Sequence, residues 1–90
     1  MLITFDPKKR QTTIDERQLD FIDAPEVFSG RTYDWEDERY DYGEVRIITV
    51  GWLRGRMVVL VWTQRGDARH IISLRKANGR EQDYYRELLG

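Results

Sequence analysis

The chain contains no cysteine. Disulfides, thiol nucleophiles and thiolate metal sites are excluded together. A secreted domain of 90 residues ordinarily relies on such cross-links, so a cytoplasmic, reducing setting is expected. His70 is the single histidine, too few for a zinc site, and the acidic stretch Glu36–Gly43 lacks the spacing of a calcium loop. No glycine-rich phosphate loop follows a strand-like segment, and no nucleophile elbow occurs. Met1–Arg10 carries no apolar leader core, and no apolar run approaches membrane-spanning length. The expectation is a protein with no membrane segment, no metal and no cofactor. If it is an enzyme, it works without a covalent nucleophile.

What the chain does have is bulk. Hydrophobic residues make up 40% of it and charged residues 34%, with three Trp, five Tyr and three Phe. That suffices for one core, so a single domain over residues 1–90 is expected. The net charge of −1 conceals an asymmetry. Met1–Glu44 holds 6 basic and 12 acidic residues, whereas Val45–Gly90 holds 9 basic and 4 acidic. Either one surface suits an anion and another a basic partner, or the halves interleave and the charges mix.

The pattern of elements is α+β. Leu2–Phe5 alternates as a short strand. Asp6-Pro7 opens a polar helix through Arg17, with Asp as cap and Pro at the first helical position. A second short helix is expected over Asp20–Phe28, with Pro25 restricted to its first turn and Gly30 ending it. Arg31–Trp35 and Val45–Trp52 read as strands, with a turn at Leu53-Arg54-Gly55. Met57–Trp62, six consecutive apolar residues, suits a central strand covered on both faces. Gly66-Asp67 turns the chain into a strand over Arg69–Lys76. Asn78 with Glu81 is a capping-box start to a closing helix through Leu89. The order is a short strand, two N-terminal helices, an antiparallel meander and a C-terminal helix.

Period two divides the last strand into two faces. With Ile72 and Leu74 toward the helices, His70 joins them, while Arg69, Ser73 and Arg75 point to an open face. Arg65 lies near the preceding turn and Arg46 on a neighbouring strand. Guanidinium groups gathered on a sheet face suit phosphate, since each presents a planar bidentate fork. The alternative is a set of ordinary surface arginines paired with Asp and Glu. His70 is the natural proton carrier near neutral pH, although on this parity it is a half-buried side chain without catalytic duty. Tyr84 and Tyr85 lie about 100° apart on the last helix, so one packs inward and the other is left to offer a phenol or a stacking surface.

A set of ordered blocks carries a family likeness. Phe5-Asp6-Pro7 with Lys9, then Leu19-Asp20-Phe21 through Ala24 to Val27-Phe28, resembles the opening of BrnT toxins. Gly43-Glu44 with Arg46, Gly51, Thr63 with Arg65-Gly66, Ile71-Ile72-Ser73 with Arg75 and Ala77, then Glu81 and Tyr85, continue it. The resemblance implies a RelE-like ribonuclease fold and a toxin that cuts RNA and blocks translation. It also implies a BrnA-like ribbon-helix-helix antitoxin, through which alone the pair reaches operator DNA. The sequence departs from the family around the first helix, where Thr13 and Glu16-Arg17-Gln18 replace an Asn and a Lys-His-Gly run. His70 replaces an Arg.

On that resemblance the expected chemistry is metal-independent attack of an RNA 2′-OH on its own phosphate, leaving a cyclic phosphate. Arg75, Arg65 and Arg46 would stabilise charge on phosphorus. His70 or Tyr85 would move protons, and Glu81 would act as base or simply as the helix cap. The alternative is a non-catalytic module that binds its antitoxin and serves autorepression of the operon, which the sequence pI of 5.8 favours.

Overall fold

A computed structural model describes residues 1–90. It is an α+β structure in which a five-stranded mixed sheet lies between helices on both faces. The elements are β1 (Ile3–Phe5), α1 (Pro7–Arg17), a 3₁₀ turn (Phe21–Asp23), α2 (Ala24–Ser29), β2 (Thr32–Glu36), β3 (Ile47–Leu53), β4 (Arg56–Arg65), β5 (Ala68–Lys76) and α3 (Gly79–Leu89). The sheet order is β1-β5-β4-β3-β2. β2 to β5 form the antiparallel meander, and β1 adds to β5 in parallel. No helix is long and apolar enough to cross a membrane.

Local chemistry explains the elements. The Asp6 carboxylate accepts from the Lys8 amide at 2.9 Å and starts α1. Gln18 ends it in the left-handed region (φ 56°), where an L side chain is strained and Gly is favoured. The expected helix over Asp20–Phe28 is divided in two. Asp20 caps the 3₁₀ turn by accepting from the Ile22 amide, and Pro25 sits in the first turn of α2, where its missing N–H costs nothing. The β3–β4 hairpin turns at Arg54 and Gly55, both with positive φ, as a two-residue type I′ connection requires. Asp23 and Glu26 hold Arg54 in place.

β4 is the central strand, and Met57, Val58, Val59 and Leu60 are all buried, as an apolar strand covered on both faces should be. On the face toward α1 and α2, Leu60, Ile71, Leu74, Phe21 and Val27 form one cluster. On the face toward α3, Ile48, Val50, Met57, Val59, Ala77 and Leu89 form another.

The register of β5 corrects the parity expectation. Val61 pairs with Ser73 and the next residue, Trp62, pairs with Ile71, so Ile72 is an extra residue in the ladder. Such a bulge reverses the alternation beyond it. Leu74 keeps its expected place toward α1 and α2, and Ser73 and Arg75 keep theirs on the opposite face. Arg69 and His70 exchange faces. Arg69 lies on the α1/α2 face over the edge-to-face pair of Phe28 and Trp62, 4.4 and 4.5 Å from their centroids. His70 lies on the α3 face beside Thr4.

Candidate functional site

The face toward α3 gathers Arg46, Arg65, His70, Arg75, Glu81 and Tyr85. It is not open: α3 crosses part of it, resting on Leu89 and Tyr85. The six side chains form two groups. Along β4 the row containing Val59 and Arg75 is separated from the row containing Thr63 and His70 by Val61 and Ser73, about 13 Å of strand.

The first group centres on Arg75. Its guanidinium donates both terminal nitrogens to Glu81, at 2.7 and 2.8 Å. Glu81 also closes the capping box of α3, accepting from the Asn78 amide while its own amide donates to the Asn78 side chain. The Arg75 hydrogen bonds outweigh burial and hold the Glu81 carboxyl at about 2. It is an anion at neutral pH and a weak base. Beside the pair opens a groove of about 350 Å³, with Ile48, Val59 and Val61 along its floor and Trp35 and Arg39 on its wall. Tyr85 stacks on Trp35 at 5.5 Å and 14°, and burial first of all raises its phenol above the ordinary value, so it stays protonated. Tyr84 is exposed.

Arg39 and Trp35 are members that the sequence reading passed over. Arg39 lies in an acidic stretch read as a turn. It forms a bidentate pair with the buried Asp37 at 2.8 and 2.9 Å, and Tyr42 donates to the same carboxylate at 3.0 Å. Those bonds, the Arg39 bond first, hold Asp37 far below the usual carboxylate range. The available signal was a lone basic residue two positions from an aspartate, within a run otherwise acidic.

The second group centres on Glu44, which accepts from Arg46 and from Arg65, each at 3.3 Å. Arg46 also lies over the Tyr42 ring at 4.0 Å. Burial would raise the Glu44 carboxyl, but the bonds from the two arginines more than offset it and lower the value. His70 Nδ1 lies 2.8 Å from Thr4 Oγ1. Burial first, then the charge of Arg65, lowers its pKa, so the imidazole is neutral at pH 7.

Each arginine of this face thus has a carboxylate partner in its own chain. The pairs from Arg54 to Asp23 and Glu26, and from Arg46 and Arg65 to Glu44, join the acidic first half to the basic second half. The two halves therefore interleave. No group of three or more His, Asp or Glu side chains is placed to hold a metal ion.

The site is therefore a paired-arginine face with a neutral imidazole, a protonated phenol and an aromatic-walled groove, on a small α+β sheet. Residues 5–81 match the model of a family described as the ribonuclease toxin, BrnT, of type II toxin–antitoxin systems. The chain belongs to the BrnT family. The matched span takes in five of the six site residues, Tyr85 alone lying past its end. Comparison with curated proteins gives no match.

Proposed function

We propose that this protein is the toxin of a type II toxin–antitoxin module, cleaving RNA without a metal and thereby stopping translation. A BrnA-like ribbon-helix-helix antitoxin would neutralise it in the cytoplasm and carry the pair to operator DNA. The single observation that carries the reading is the Arg75–Glu81 pair at the mouth of a groove walled by Trp35 and Arg39. A guanidinium fixed at the rim of a base-sized, partly aromatic groove suits a nucleotide, with phosphate on the arginines and the base against the wall. The order of strands and helices is also compatible with a RelE-like fold over a single domain.

In this mechanism the RNA 2′-oxygen forms a bond to its adjacent phosphorus as the bond from phosphorus to the 5′-oxygen breaks. A cyclic phosphate and a free 5′-hydroxyl are left. Arg75 and Arg39 stabilise the charge that builds on the phosphoryl oxygens. Tyr85, stacked on the groove residue Trp35 and kept protonated by burial, would supply the leaving oxygen with a proton. The 2′-OH proton passes to solvent, and His70, about 13 Å of strand from Arg75, lies with Arg46 and Arg65 beside a phosphate further along the RNA. Glu81 acts as cap and as the partner that fixes Arg75, not as base.

A second reading is favoured by the pairing itself. Arginines neutralised within the chain attract phosphate weakly, as a non-catalytic antitoxin-binding module would. Induction in bacterial cells separates the two. Protein synthesis should stop with the wild type, continue with Arg75→Ala, and be restored by co-expression of the antitoxin. Unimpaired synthesis under induced wild-type protein would favour the binding module.

A further inference from the structure

The arginines of the α3 face are paired, but a second group of cations beside it is not. α1 and the bulged part of β5 enclose a groove of about 260 Å³ lined by Lys8, Lys9, Thr12, Thr13, Arg17 and Ser73, with Glu16 and Ile72 completing its wall. Lys8, Lys9 and Arg17 are exposed and none joins a salt bridge. Arg17 instead donates to the Leu74 carbonyl at 3.0 Å, which lays its guanidinium across the strand edge. Against these three cations stands one carboxylate, Glu16.

The helix sets the spacing. Lys9, Thr13 and Arg17 follow one another at intervals of four, and Lys8, Thr12 and Glu16 form the adjacent ridge. The first ridge is about 12 Å long. β1 pairs with β5 only at Arg69–Ile71, so the strand edge from Ile72 onward faces this groove rather than another strand. Ser73 lines both this groove and the one beside Arg75. The two are therefore neighbours across one strand edge.

We infer that the α1–β5 groove holds the phosphodiester backbone of single-stranded RNA as it leaves the cleavage face over Ser73. The inference rests on the ribonuclease reading of that face and adds to it a separate binding track. Lysine ammonium groups and threonine hydroxyls are suitable donors to phosphate oxygens. Three cations against one carboxylate along its lining suit the groove to a polyanion. The division of labour follows from the charges: paired arginines position and react, and unpaired lysines supply electrostatic attraction.

The test is Lys8→Gln/Lys9→Gln, which leaves the Asp6 cap and the α3 face intact. Binding of a mixed-sequence 2′-O-methyl oligoribonucleotide, which has no 2′-OH to react, is measured against salt beside cleavage of a dinucleoside monophosphate. The expected result is weaker oligonucleotide binding, with the slope of log K on log salt reduced by about 1.4 for two lost phosphate contacts. Dinucleoside cleavage and melting temperature should stay at the wild-type level. An unchanged slope would overturn the inference while leaving the cleavage site standing. Loss of polyglutamate binding with unchanged RNA binding would overturn it in favour of an acidic protein segment. Absence of salt-dependent RNA binding by the wild type would overturn this inference, and absence of dinucleoside cleavage with it would overturn the ribonuclease reading too.

Discussion

Arg75 and Glu81 face each other in a bidentate pair at 2.7 and 2.8 Å, and the same carboxylate caps α3. One side chain therefore fixes both the proposed phosphate-binding arginine and the helix above it. Glu81→Gln separates its tasks. Glutamine can still complete a capping box, so α3 should persist, while the negative charge on Arg75 is removed. Retained cleavage with tighter RNA binding is expected, read by turnover and by anisotropy. A loss of 10²-fold or more in kcat would contradict this and show that cleavage needs the Glu81 charge, as base or as the anchor of Arg75.

The same pair sets an acid dependence. The folded Glu81 carboxyl titrates at about 2, below its ordinary 4.5. Its contribution is complete above about 4.5 and is lost as pH falls through about 2. Partial exposure of Arg75 screens the interaction, so a contribution of order 1–2 kcal/mol is expected. His70, also lowered, works in the same direction at higher pH: the unfolded imidazole takes up its proton first as pH falls, which favours unfolding. Denaturant melts between pH 7 and pH 2 should show a loss of stability at acid pH that is smaller in Glu81→Gln.

Tyr85 has two separable parts. Its ring stacks on Trp35, and its phenol is the proposed proton donor. Tyr85→Phe should keep the melting temperature and lower kcat by about 10²–10⁴. If Tyr85→Phe cleaves like the wild type, the residue is a packing element and the donor lies elsewhere.

Two backbone positions should respond in opposite directions. Gln18 holds φ 56° at the end of α1, so Gln18→Gly relieves strain and should raise stability by about 0.5–1 kcal/mol. At Gly51 a Cβ would stand 2.8 Å from Val27 Cγ1 and 3.2 Å from Thr32 Cγ2. Gly51→Ala must therefore push α2 off β3 and should cost about 1–3 kcal/mol. Thermal denaturation checks both.

How far the sequence was legible depends on how local each signal is. The Asp6-Pro7 start, the Asn78–Glu81 capping box and the apolar run of β4 are set by neighbouring residues, and the structure has each where the sequence places it. The faces of Arg69 and His70 were misread because period two assumes an unbroken ladder, and the extra residue at Ile72 depends on pairing with β4. Glu44 meets Arg65 across 21 positions, and no spacing rule announces such a pair. Arg39 was hidden in the same way: its neighbours mark a turn, whereas its role comes from Asp37 being buried against it.

The most direct test of the central claim is cleavage of naked RNA by the purified protein in EDTA, beside Arg75→Ala, with both melting temperatures recorded and the product ends identified. The expected result is cyclic-phosphate ends from the wild type and none from a folded Arg75→Ala. Equal cleavage by the two proteins, or cleavage that EDTA abolishes, would contradict the account.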